Sequence, residues 1–261
     1  MNILDKIIEH TKEEVARNKQ LISQDRLMQE PYFNRPVFSL KQFLQDETKT
    51  GIIAEFKRRS PSKGIINNNA DVVEVTKAYT ANGASCLSVL TDDHFFGGSA
   101  DDLHKARINN IPILRKDFII DKYQLAEAKA MGADVILLIA ACLTPENAQE
   151  LAFFAKSLNL EVLLEIHTEA ELQHICDDVD LVGVNNRDLK TFSVDINRSI
   201  ELGKQIPEDK IKIAESGIDD VETIKRFKDA GFTGFLMGEK FMKEPDPGIA
   251  FEQFVQKLKR G

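Results

Sequence analysis

Glu55 and Lys57 stand two residues apart at the end of the apolar run Ile52-Ile53-Ala54. Directly after them comes the basic stretch Arg58-Arg59-Ser60-Pro61-Ser62-Lys63-Gly64. On a β-strand alternate side chains share a face, so Glu55 and Lys57 point one way and Phe56 the other. A carboxylate and an ammonium together can accept and donate protons. The bland reading is an edge-strand ion pair worth about 0–1 kcal/mol.

Other apolar runs end the same way. Ile113-Leu114 leads to Arg115-Lys116-Asp117-Phe118, and Leu163-Leu164 to Glu165. Gly183-Val184 leads to Asn185-Asn186-Arg187-Asp188-Leu189, Ala214 to Glu215-Ser216-Gly217, and Met237 to Gly238-Glu239. Ionisable or amide groups closing apolar strands are poor surface decoration, and Glu165 is the sharpest case. A carboxylate there has to be paired or tuned. Ser216-Gly217 and Gly238 read as a phosphate cradle, in which small residues admit backbone N–H groups and a helix N-terminus adds its dipole. Singly, each glycine reads better as a turn residue.

The elements carrying these groups repeat one unit, a short aliphatic run, a polar turn and an amphipathic helix. Strands are predicted over 52–57, 85–90, 113–116, 135–140, 161–166, 181–185, 212–215 and 234–237. Helices are predicted over 70–82, 100–109, 121–131, 145–158, 169–176, 195–205, 219–230 and 247–259. Thr144-Pro145 signals a helix start. Asn82-Gly83, Met131-Gly132 and Ala230-Gly231 signal stops. Alternation of this kind implies parallel strands, and eight units fit a closed (β/α)₈ (TIM) barrel whose strand ends converge on one mouth. A doubly wound open sheet is the alternative, but no GxGxxG follows the first strand. Residues 1–49 read as a helical extension, with Leu4, Ile7, Ile8 and Val15 in one helix and Leu40, Phe43 and Leu44 in a second, covering an end of the barrel. Residues 50–261 read as the barrel, the whole 1–261 as one domain.

With 261 residues, 43% hydrophobic and 29% charged, the chain has the size and core of such a barrel. A net charge of −8 argues against a nucleic-acid partner, and no apolar run reaches the roughly 18 residues of a membrane span. The first residues lack a signal-peptide core. Cys86, Cys142 and Cys176 are odd in number and without CxxC spacing, so reduced thiols in the cytoplasm are expected. His10, His94, His104, His167 and His174 show no metal-ligand spacing and read as plain surface or core residues.

Taken together, Glu55-Phe56-Lys57-Arg58-Arg59-Ser60-Pro61-Ser62, Leu114-Arg115-Lys116-Asp117-Phe118, Gly183-Val184-Asn185-Asn186-Arg187-Asp188-Leu189, Ala214-Glu215-Ser216-Gly217 and Met237-Gly238-Glu239 resemble the indole-3-glycerol-phosphate synthase family. The resemblance spans the chain, helical extension included. It implies a tryptophan-pathway (β/α)₈ lyase that needs no metal or organic cofactor. Such an enzyme closes and decarboxylates 1-(2-carboxyphenylamino)-1-deoxyribulose 5-phosphate, then dehydrates it to indole-3-glycerol phosphate.

By the same resemblance Lys116 matches the general acid, and Lys57 a lysine that contacts the substrate carboxylate and serves in dehydration. Glu165 matches a base or charge stabiliser; Glu55 and Asn185 match orienting groups, Glu55 being a rival base. A lysine acid works near neutral pH if burial and a neighbouring cation lower its pKa, and two lysines facing two glutamates in one mouth leave that balance open. Glu215, Ser216, Gly217, Gly238 and Glu239 fall among the substrate-binding positions, the phosphate meeting the last through its backbone N–H. Ser60, Arg187 and Leu189 match contacts on the anthranilate side, and Phe96, Phe118 and Leu137 the pocket for the aromatic ring. Each has a plain reading too: Phe118 and Leu137 as core, Ser60 as a turn, Arg187-Asp188 as a local ion pair. Phosphoribosylanthranilate isomerase, a neighbouring barrel, would call for a Cys in the first strand, and none is there. A scaffold or ligand sensor would be expected to have lost Lys57, Lys116 or Glu165. Because the chain ends after the eighth helix, no fused isomerase is expected. A monomer is expected, with association with other tryptophan-pathway enzymes left open.

Overall fold

The computed structural model describes residues 3–188 and 193–260. Eight parallel strands close into a barrel: β1 (Ile52–Phe56), β2 (Cys86–Leu90), β3 (Ile113–Lys116), β4 (Val135–Ile139), β5 (Glu161–Ile166), β6 (Leu181–Asn185), β7 (Ile211–Glu215) and β8 (Gly234–Met237). Closure is made by β1 against β8, with Ile53 opposite Leu236. Helices α4 (Val72–Ala81), α5 (Ala100–Ala106), α6 (Lys122–Met131), α7 (Pro145–Ser157), α8 (Ile196–Gly203), α9 (Val221–Asp229) and α11 (Pro247–Arg260) follow the strands. The expected stops hold, with Asn82, Gly132 and Ala230 as C-caps.

Alternation along each strand sorts side chains into two cores. Ile53, Leu114, Leu163, Leu181 and Ile213 fill the barrel interior, while Ile52, Ala54, Phe56, Ile113 and Leu164 pack outward against the helices. The same period carries Glu55, Lys116, Glu165, Asn185 and Glu215 inward at the strand ends. Arg115 falls on the outward phase, where Asp117 at 3.0 Å and Glu127 at 3.5 Å pair it. The pleat therefore decides which of two adjacent cations reaches the mouth.

The extension reaches both ends of the barrel and not one. α1 (Ile3–Leu21) crosses the mouth, Ile3, Leu4 and Ile7 lining its cavity. Its far end is tied down by the Tyr123 hydroxyl, which donates to the carbonyls of Asn18 at 3.1 Å and Ile22 at 2.8 Å. A short α2 (Gln24–Leu27) links it to α3 (Leu40–Gln45) at the opposite end. There Glu161, the first residue of β5, accepts from the N–H of Leu40 at 2.7 Å and of Lys41 at 3.3 Å, and Leu40 plugs the interior core. Asp134 fastens the same end, accepting from Arg35 at 2.5 Å, Arg107 at 2.5 Å and the N–H groups of Phe38 at 2.8 Å and Ile113 at 2.9 Å. Asp134→Ala leaves two arginines without their anion, and losing one partner of a buried pair costs about 3–5 kcal/mol. A drop of about 10 °C in melting midpoint is expected by calorimetry; an unchanged midpoint would refute this anchoring role.

Three local features differ from the sequence reading. The helix expected over 169–176 is a 3₁₀ turn, Glu169–His174. Glu171 folds back to cap the N–H groups of His167 and Thr168, and the chain turns extended at Ile175. Within the loop after β1, Arg59–Ser60 pairs antiparallel with Gly64–Ile65. Finally, α10 (Glu239–Met242) follows β8 directly and is only four residues long, so the helix dipole expected beside Gly238 is slight.

Candidate active site

One cavity at the C-terminal mouth brings together every site residue named from the sequence except Leu189, which lies outside the described residues. Phe96 and Phe118 stand with ring centroids 5.9 Å apart near Leu137, making an apolar wall. Ser60 and Arg187 also line the cavity, as do Ser216, Gly217, Gly238 and Glu239.

Its polar centre is two ionic clusters. In the first, Lys57 Nζ lies 2.5 Å from Glu55 Oε1. In the second, Lys116 Nζ lies 3.0 Å from Glu165 Oε2 and 2.9 Å from Glu215 Oε2. Asn185 Nδ2 donates to Glu165 Oε1 at 3.2 Å, and Asn185 Oδ1 accepts the N–H of Arg187 at 3.0 Å. Glu215, grouped by sequence with the binding positions, thus sits against the proposed acid.

Two glycines make this crowding feasible. A Cβ on Gly183 would lie 2.1 Å from Glu215 Oε1, and one on Gly238 2.6 Å from Glu55 Oε1. Each carboxylate occupies space that any other residue would fill.

The balance left open by the sequence falls to the carboxylates. Burial pulls the Lys116 pKa down, but Glu165 and Glu215, with Glu55 behind them, outweigh it and hold the ammonium above its ordinary range. Glu165 is held below the usual carboxylate range: burial opposes ionisation, but Lys116, His167 and Asn185 overcome it. Glu215 is pushed up by burial, with Glu165 adding repulsion that Lys116 does not cancel. The split follows from geometry, since Glu165 keeps Asn185 on its second oxygen whereas Glu215 Oε1 is buried without a partner.

Sequence reasoning missed three contributors. Asn186 is buried and ties two strand ends together, its N–H donating to Glu215 O at 2.8 Å and its Nδ2 to Ser216 O at 2.6 Å. That hold supports the positive φ of Ser216 (68°), a conformation unusual for a residue with a side chain. The first turn of α1 adds an apolar wall. His167 proves buried beside Glu165. The inward phase of 165 and 167 is a signal the strand pattern already contained.

Glu239 at the rim has Lys63 at 3.4 Å and Arg187 at 3.6 Å. Among the described residues no cluster of three or more His, Cys, Asp or Glu side chains suits a metal ion.

Fold and site define a (β/α)₈-barrel protein with acid–base groups gathered at its mouth. The family model for indole-3-glycerol phosphate synthase matches residues 4–254. An indole-3-glycerol phosphate synthase of Bacteroides thetaiotaomicron is 50% identical over 259 residues, 98% of this chain and 99% of that protein. Those of Bordetella pertussis and Campylobacter jejuni are each 41% identical over 97% of this chain. The chain belongs to the indole-3-glycerol phosphate synthase family. Distant solved barrels share the fold alone, among them the tryptophan synthase alpha subunit of Legionella pneumophila (TM-score 0.62, 13% identity, 85% of this chain and 97% of that one).

Proposed function

We propose that this chain converts 1-(2-carboxyphenylamino)-1-deoxyribulose 5-phosphate to indole-3-glycerol phosphate, a carboxy-lyase step of tryptophan biosynthesis. The observation that carries the reading is Lys116 held between Glu165 and Glu215, with Lys57 on Glu55 in the same cavity. In ring closure the aromatic carbon bearing the carboxylate attacks the ketone carbon, and Lys116 gives its proton to the ketone oxygen. An alkoxide is more basic than any amine, so an ammonium of raised pKa still donates to it. CO₂ then leaves, and its bonding electrons restore the aromatic ring. The new hydroxyl departs as water with a proton from Lys57, while Glu165 takes the proton released as the indole double bond forms. Glu55 and Asn185 orient Lys57 and Glu165.

Phe96, Phe118 and Leu137 take the aromatic ring, Ser60 and Arg187 its anthranilate edge, and Ser216, Gly217, Gly238 and the N–H of Glu239 the phosphate. Lys240 lines the same cavity and adds positive charge. Ser216→Asp puts a carboxylate at the phosphate, and like-charge contact of this kind is expected to raise KM about 100-fold. An unaltered KM would remove Ser216 from the cradle.

The isomerase alternative finds no support in β1, and Cys86, at the start of β2, is fully buried. Cys86, Cys142 and Cys176 are all free, which suits a cytoplasmic protein. Among the described residues no helix is long and apolar enough to cross a membrane. We take the extension and barrel as one domain acting as a monomer.

The test is turnover by the purified protein without added metal, read as indole fluorescence together with CO₂ release. Both signals establish the reading. Substrate binding without turnover would favour a ligand sensor, and neither would reject the assignment.

A further inference from the structure

His167 stands two residues beyond Glu165, just past the end of β5, and so faces the same inward side. Its side chain is 6% exposed, with Nε2 3.4 Å from Glu165 Oε1 and Nδ1 3.7 Å from Glu171 Oε2. Neither ring nitrogen makes a hydrogen bond of ordinary geometry. A neutral imidazole so placed would be buried and unpaired, whereas a protonated one is stabilised by both carboxylates. Glu171 is pinned by the N–H groups of His167 at 2.5 Å and Thr168 at 3.2 Å. Glu171, His167, Glu165, Lys116 and Glu215 stand in a row that alternates in sign when His167 is protonated.

We propose that His167, as an imidazolium between Glu165 and Glu171, is a positioning residue that keeps Glu165 ionised and aimed into the mouth. The inference rests on the role given to Glu165 under the proposed function. Charged and titratable groups reach this corner from five elements. Glu165 comes from β5, Glu171 and His174 from the 3₁₀ turn, Glu215 from β7, Lys116 from β3, and Cys142 from the segment after β4. His174 is occupied by the carbonyls of Glu171 and Leu143. Burial, with Glu165 and Glu171, pushes the Cys142 thiol up, so it stays neutral and brings no competing charge.

The directions of the shifts agree with the geometry. Burial would lower the His167 pKa, but Glu171 and Glu165 outweigh it and raise it. A raised histidine pKa means the interaction is complete below the ordinary histidine range and is lost as pH climbs through the raised value. Glu165, being lowered, keeps its charge as pH falls well below the usual carboxylate range.

Two measurements test this. In the wild-type full-length protein, NMR of the His167 ring from about pH 5 to about pH 9 is expected to show protonation with a midpoint above about 6.5. A lower midpoint, or a ring neutral throughout, overturns the proposal. In pH–rate profiles, His167→Gln is expected to move the acid limb of kcat up by about one pH unit, while His167→Lys keeps it at the wild-type position. Equal shifts in both variants, or none in either, overturn it. A purely structural role would lower rates without separating the charged from the uncharged substitution. Should His167→Gln fail to fold, the wild-type titration decides. Absence of wild-type turnover would reject the assigned reaction and leave that titration to judge the imidazolium alone.

Discussion

Lys116→Ala is expected to lower kcat about 1,000-fold while KM stays close to wild type. On the proposed reading other groups hold the ring, the anthranilate edge and the phosphate, so substrate is expected still to bind. What is lost is the proton for the ketone oxygen, a role the proposed reaction gives to Lys116 and not to Lys57, which is paired with Glu55 at 2.5 Å. Removing the ammonium also leaves Glu165 and Glu215 facing each other without their shared cation, and one of them must take up a proton. The variant therefore needs a melting curve and substrate calorimetry beside the kinetics. A folded variant that binds substrate and does not turn it over supports the assignment, and an unchanged kcat removes Lys116 as the acid.

Gly183→Ala acts on the same cation from behind. The new methyl would sit 2.1 Å from Glu215 Oε1, so the carboxylate has to move and its 2.9 Å contact with Lys116 is lost or bent. A displacement of about 1 Å in a catalytic group is enough to lower kcat about 100-fold. Overpacking at such a site costs about 1–3 kcal/mol of stability. Pairing it with Glu215→Ala gives a double-mutant cycle: truncating Glu215 makes room for the methyl, so the double variant should recover the stability lost in Gly183→Ala. Additive losses would show that the clash is not with Glu215.

The barrel and its mouth were legible because both follow from short-range periodicities. A period of two fixed which residues of 113–116 and 161–166 point inward, and glycine stops fixed where helices ended. Pairings across the mouth were not legible, because Lys116, Glu165 and Glu215 lie 49 to 99 positions apart and meet only once the barrel closes. Hence the sequence allowed a lowered Lys116 pKa where three carboxylates in fact raise it. His167 was passed over for a related reason: its chemistry depends on Glu171, recruited backward by a 3₁₀ turn where helical spacing suggested an α-helix. Two helices in the extension were readable from their apolar spacing, but their destinations at opposite ends rest on single contacts such as Glu161 with Leu40.

The course of α1 has a practical side for anyone producing this protein. Ile3 and Leu4 already form part of the wall around the reaction chamber, so an affinity tag or fusion partner joined ahead of them would emerge at the substrate's doorway. Helices of a (β/α)₈ barrel run back from the mouth to the opposite face, which is where α11 delivers Arg260. A handle attached there leaves the entrance clear, and comparing the two fusions for KM would show how much the first turn of α1 shapes admission.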